Sequence, residues 1–292
     1  MTEFFKVSGS GNDFIALVEP KSLPKPEQIR AWCQRGSSLG ADGVFILTRR
    51  ADAPEAVGME HFNADGGRAD LCVNGTRCAA RLAFHHGWAN SRVTIHTGAG
   101  EVVGTPAGEQ GIRLDIPFPT SPVTPFETRL GGTLVEGWLT RVGVPHLVLP
   151  WADSLSNAPV DSLGAALVGH PAVGKEGANI NFVHVVDRHH LEIRTYERGV
   201  NAETLACGSG SLAAAQVMIG IASCAEPPLS ILTAGGERLE VGGEKIAGEL
   251  RSCTLSGNAR IVAQGTLHSE ADRLPSPARW SLGSPRSSGT QE

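Results

Sequence analysis

The chain has no excess of positive charge. Its 25 lysines and arginines face 30 aspartates and glutamates, for a formal net charge of −5. Binding a polyanion needs a concentrated basic surface, so nucleic acid is not an expected partner. No run of about 18 apolar residues is present to span a bilayer as a helix, so no membrane role is expected either. The opening residues, MTEFFKVSGSGNDF, lack the basic-then-apolar order of a secretory leader. Six cysteines in 292 residues are too few for a disulfide scaffold, and without a leader they point to reduced thiols in the cytoplasm. No C-x-x-C occurs, and five residues separate Cys72 from Cys78, outside the roughly two to four of a zinc knuckle. A metal site is therefore not expected. His85-His86 and His189-His190 read instead as a helix end and a turn or strand end.

What is present is apolar and repetitive. Hydrophobic residues make up 41% and charged residues 19%, which suits a soluble globular chain with material for two cores. The length suggests about two domains. LCVNGTRCAARLAF (71–84) and ACGSGSLAAAQVMI (206–219) share a layout: a cysteine, a glycine soon after, then an alanine-rich helix. Upstream of them, GADGVFIL (40–47) and GANINFVHV (177–185) each read as a turn entering an apolar strand. Gly40 precedes Cys72 by 32 positions and Gly177 precedes Cys207 by 30. The chain thus reads as two related halves with one cleft between them, since two copies fall short of a solenoid.

The remaining pattern is strand-rich. Residues 4–18 read as a hairpin turning at SGSGND, and the region 230–267 reads as a glycine-punctuated meander. The proline- and threonine-rich 117–132 reads as an interdomain linker. The boundaries that follow are 1–117, 118–267, and a Ser/Pro/Gly-rich tail over 268–292 expected to be disordered.

Cys72 and Cys207 each stand at a helix mouth, where backbone N–H groups have no internal partner. Those donors and the helix dipole favour a thiolate, so a lowered pKa is expected at each. One such cysteine alone is more simply a buried small hydrophobe. Two of them, facing across a cleft, can invert a carbon centre: one thiolate removes an α-proton while the opposed thiol returns one. The N–H groups of Val73, Asn74, Gly208 and Ser209 suit the flanking carboxylate and its developing charge.

The segments SGSGNDF, GADG, FNADGGRADLCVNGTRC, GANINF and YERGVNAETLACGSGS resemble, in order and spacing, those of the diaminopimelate epimerase family, over about residues 4–267. The resemblance implies an α/β fold of two pseudo-symmetric domains, each a curved, mostly antiparallel sheet wrapped around a central helix. It implies cofactor-independent interconversion of LL- and meso-diaminopimelate, a small amino-acid substrate and a homodimer. By resemblance, Cys72 and Cys207 are the acid/base thiols. Asn12, Asn63, Asn179, Glu197 and Arg198 bind substrate, with Val73, Asn74, Gly208 and Ser209 on the reacting carboxylate. His146 and Glu197 bias thiol ionisation. Read without it, Asn12, Asn63 and Asn179 are ordinary turn or loop residues, His146 is a core histidine, and Arg198 serves equally as a surface ion pair or a carboxylate clamp.

Two positions depart from the family. Val73 stands where glycine follows the first cysteine, and its branched side chain should crowd the anion pocket. Val144, in GVPH, replaces an asparagine that helps hold the distal end of diaminopimelate. A racemase of another amino acid, or an idle amino-acid-binding relative, therefore stays open beside the epimerase.

Overall fold

The stretch after Cys207 is apolar on all sides: Leu212, Ala213, Ala214, Ala215, Val217, Met218 and Ile219 are all buried. A helix without a polar face has to be enclosed rather than laid on a surface. In the computed structural model, which describes residues 2–116, 122–221, 224–246 and 249–274, strands enclose it.

The first half opens with β1 (Thr2–Gly9), β2 (Asn12–Val18), α1 (Pro26–Cys33), β3 (Gly43–Arg49), β4 (Ala56–Asn63) and β5 (Arg68–Ala69). Helix α2 (Val73–His85) follows, then β6 (Val93–Thr97), β7 (Gly100–Ala107) and β8 (Gly111–Asp115). The second half runs β9 (Thr124–Leu130), β10 (Thr133–Val142), β11 (Val144–Pro150), α3 (Val160–Leu167), β12 (Asn179–Asp187), β13 (His190–Glu197) and β14 (Ala202–Thr204). Helix α4 (Gly208–Ile221) leads to β15 (Leu229–Thr233), β16 (Arg238–Ile246), β17 (Glu249–Asn258) and β18 (Arg260–Leu267).

The halves are copies at the level of strand pairing. β1–β2 and β10–β11 are antiparallel hairpins, while β2–β3 and β11–β12 are parallel, with α1 and α3 in their crossovers. β4 pairs with β6 in parallel across α2, as β13 does with β15 across α4. The meanders β6–β7–β8 and β15–β16–β17 match as well. Each half thus wraps a mostly antiparallel sheet around its own helix, the fold implied by the resemblance.

The halves also exchange edges. β18 crosses back from the second half to pair with β1, its counterpart β9 pairs with β10 inside the second half, and β8 pairs with β17 between the halves. One apolar cluster accordingly runs from Phe14, Phe45 and Leu82 through to Leu212, Val241 and Leu255. Small residues allow this close wrapping. A β-carbon on Gly104 of β7 would stand 2.8 Å from Ala80 Cβ of α2.

Two expectations need correction. Within the expected linker, residues 117–121 lie outside the described residues, but Thr124–Leu130 is strand β9, joined to β10 by Gly131-Gly132 at φ 55° and 87°. Both turn residues have positive φ, as a two-residue hairpin loop requires. The tail is ordered at its start. Ser269–Asp272 forms a 3-10 turn against α1, and Trp32 Nε1 donates to Asp272 Oδ1 at 2.9 Å. Residues 275–292 lie outside the described residues. Among the described residues, no helix is long and apolar enough to cross a membrane.

Candidate active site

The two cysteines occupy equivalent places. Cys72 is the extended residue before α2 (φ −132°, ψ 107°), and its Sγ accepts the Gly75 N–H at 3.5 Å. Cys207 precedes α4, and its Sγ accepts the Gly210 N–H at 3.4 Å. Four residues on, a hydroxyl turns back in each copy. Thr76 Oγ1 donates to the Cys72 carbonyl at 2.9 Å, and Ser211 Oγ to the Cys207 carbonyl at 3.0 Å. Sulfur thus fills the cap position usually held by a Ser or Asp oxygen.

The two helix mouths touch. A β-carbon on Gly208 would stand 2.9 Å from Cβ and Cγ1 of Val73 and 3.1 Å from Asn74 Oδ1. Val73 therefore fills the seam against a glycine of the opposite helix. Asn74 spans the same seam, its Nδ2 donating to the carbonyl of Ala206, just before Cys207, at 2.9 Å. Its amide cannot flip, because Oδ1 accepts from Nη2 of the fully buried Arg77 at 2.9 Å. Gly210 is closed off in turn, since a β-carbon there would collide with Asn181 Oδ1. The missing side chains of Gly208 and Gly210 serve packing.

Beside the seam lies a cavity of about 470 Å³. Its wall holds both cysteines with Asn12, Asn63, Val73, Asn74, Asn179, Glu197, Arg198, Gly208 and Ser209. Asn12 donates from Nδ2 to Asp42 Oδ2 at 2.5 Å, which turns its Oδ1 to Cys72 Sγ at 4.0 Å. Asp42 is itself gripped by Arg35 Nη2 at 2.9 Å. The turn after Asn63 is closed by its backbone and by Asp65 Oδ1 on the Gly67 N–H at 2.7 Å, so it does not use the Asn63 side chain. Asn179 Oδ1 accepts the Arg198 N–H at 2.9 Å, and Arg198 Nη1 donates to the Glu176 carbonyl at 2.6 Å. Together these fix the base of the Arg198 side chain at the cleft.

His146 is not on this wall. It is fully buried, and its Nδ1 faces Asn181 Nδ2 at 3.3 Å. Because that amide nitrogen only donates, Nδ1 is the acceptor and the ring proton is assigned to Nε2. Burial pushes its pKa down to about 3, so the ring is neutral. The histidine supports the Cys207 mouth from behind, through Asn181 and its contact with Gly210. Val144 does line the cavity.

The thiols depart from the expectation of lowered pKa values. Burial pushes Cys72 up to about 11, against the pull of the Gly75 N–H. Burial also pushes Cys207 well up, and the charge of Glu197 adds to the rise. Desolvation of a small anion outweighs a few helix-mouth donors. Glu197 is raised by burial too, while hydrogen bonds from Thr204, 2.5 Å away, and from Cys207 hold it down. Among the described residues, no three His, Cys, Asp or Glu side chains gather as a metal-holding group. Sequence reasoning missed Asp42, Thr204, Arg77 and His61. The first three fall inside the signature segments, although Arg77 needed its burial to be seen, and His61 stands one residue before such a segment.

Comparison with known proteins gives a consistent result. The family model described as diaminopimelate epimerase matches residues 4–114 and 139–245. The diaminopimelate epimerase of Aquifex aeolicus is 35% identical over 281 residues, covering 92% of this chain and 98% of the relative. That of Methanothrix thermoacetophila is 35% identical over 286 residues, covering 92% and 96%. Among solved structures, a probable proline racemase from Agrobacterium radiobacter aligns with a TM-score of 0.69 at 14% identity, covering 94% of this chain and 96% of that one. A hydroxyproline epimerase from Agrobacterium vitis aligns with a TM-score of 0.65 at 13% identity, covering 90% and 91%. Those two speak to the fold, whereas the sequence relatives carry the assignment: the chain belongs to the diaminopimelate epimerase family of isomerases.

Proposed function

We propose that this chain interconverts LL- and meso-diaminopimelate by a two-cysteine transfer of the α-proton. The observation that carries the reading is the pair of equivalent cysteine-capped helix mouths opening on one cavity. The α-carboxylate sits on the N–H groups of Val73, Asn74, Gly208 and Ser209, with the α-carbon between the two sulfurs. The thiolate of Cys72 takes the α-proton. The electron pair of the broken C–H bond spreads into the carboxylate, where the helix donors stabilise it. Cys207 then gives its thiol proton to the opposite face and is left as the thiolate. The reverse reaction swaps the roles.

Cys72 is assigned the base in the LL-to-meso direction; the negative charge of Glu197 raises both thiols, coming directly after burial at Cys207 and behind the Gly75 N–H at Cys72. The ammonium of an entering amino acid brings positive charge beside the thiol and favours its ionisation. Arg198, Asn63 and Asn179 are left for the distal end of the substrate. A racemase of another amino acid is the second reading, favoured by Val144 on the cavity wall. Division into lobes 1–117 and 118–267, a cytoplasmic setting and a homodimer belong to the same proposal, and sedimentation reads the last of these. The direct test incubates the reduced protein with LL-diaminopimelate in D₂O and follows the α-proton by NMR. Loss of that signal with appearance of the meso form supports the reading, and a persistent signal rejects it.

A further inference from the structure

Among the described residues, His61 is the one buried side chain of this cleft whose chemistry the mechanism leaves unused. It is 5% exposed and forms part of the cavity wall. Its Nδ1 is buried without a partner, and neither ring nitrogen hydrogen-bonds to any described residue. A ring in that state costs stability, because Nδ1 has left water without a partner. Such a group calls for an explanation.

Its position supplies one. Side chains alternate along a strand, so Met59, His61 and Asn63 of β4 share a face. Met59 is at the α2 mouth, its Sδ 3.7 Å from Thr76 Oγ1, and Asn63 is on the cavity wall. His61 lies between them, at the floor on the Cys72 side. The strand beside it makes room. Gly43 of β3 lies opposite Asn63 in register, and a β-carbon there would stand 3.1 Å from His61 Cε1. Phe14 holds the ring edge-on, with centroids 5.6 Å apart and planes at 74°. A ring packed against Phe14, a wall position, an unpartnered buried Nδ1 and an Nε2 that no described residue uses together describe a contact waiting for a ligand.

We propose that His61 is a substrate-contacting residue whose neutral imidazole hydrogen-bonds a polar group on the side chain of the bound amino acid. This rests on the reading of the cleft as an amino-acid site, and makes position 61 one that selects among amino acids. Burial keeps the ring neutral, with a pKa pushed down to about 4, so it offers one N–H and one lone pair.

His61→Leu and His61→Gln test it, with KM and kcat for LL-diaminopimelate and melting temperature as readouts. In His61→Leu, KM should rise roughly tenfold, the loss of one hydrogen bond, with kcat within about threefold. The melting temperature should hold or rise, since an unsatisfied polar group has been removed. His61→Gln, which keeps a donor and an acceptor, should recover most of the KM. An unchanged KM in His61→Leu overturns the inference, as does an equal rise in both variants, which would make the ring a packing element. The wild-type enzyme separates the two claims. If it fails to exchange the α-proton, the epimerase reading falls, whereas exchange with an unaltered KM in His61→Leu sinks only the contact.

Discussion

Two thiols at helix mouths look from the sequence as though they should ionise readily. Burial reverses this, raising Cys72 to about 11 and Cys207 well above its usual value. A reaction that needs one thiolate should therefore gain rate as pH rises, with kcat/KM climbing through neutrality and past pH 8. The sign for Glu197 follows from its charge: a negative neighbour raises a thiol pKa, so Glu197→Gln should move that climb to lower pH. pH–rate profiles of the two proteins check this, and superimposed profiles would detach Glu197 from thiol ionisation. The residue identities were legible because the motif occurs twice, and a repeated Cys-to-helix junction is hard to explain as packing. The thiol ionisation was not legible, because the cost of desolvation depends on what covers a group. The place of His146 behind the cavity wall was not legible for the same reason. Nothing in GVPH says that Asn181 stands between its ring and the Cys207 mouth.

At the scale of elements, the account turns on two helix mouths in contact. Val73, which from sequence should crowd the anion pocket, packs against Gly208 of the other half. Gly208→Ala puts a methyl group 2.9 Å from Val73 Cβ and Cγ1, an overpacking worth about 1–3 kcal/mol. Activity and melting temperature should both fall. Val73→Gly in the same chain should restore activity, because the seam regains its space. If the double variant is no better than Gly208→Ala, the two mouths are not coupled through this contact. Helices, strands and the central hairpins were readable from apolar periodicity and glycine turns. The β9–β10 hairpin was hidden because the prolines and threonines of 117–132 outweighed its Gly-Gly signal, and proline is tolerated in an edge strand such as β9.

In the whole molecule, the repeat predicts two lobes, and each pairing in one half has its counterpart in the other. Sequence periodicity cannot report which edge a strand seeks, so the pairings of β18 with β1 and of β8 with β17 between the halves were not visible in it. Those pairings and the shared core tie the lobes together. Calorimetry should accordingly show one cooperative unfolding transition, with no separable lobe. Two resolved transitions would mean that the halves fold apart despite the common core.

Two opposed thiols that each carry a single proton decide where deuterium goes in the first moments of reaction in D₂O. LL-diaminopimelate is mixed with enzyme, the reaction is stopped early, and each isomer is analysed by mass. A thiolate that has taken a substrate proton holds that proton until it returns it to the same face. The opposed thiol carries solvent deuterium to the other face. The account predicts meso product labelled at the inverted carbon while the recovered LL substrate remains unlabelled. Deuterium accumulating in the LL pool as fast as meso product forms would contradict it.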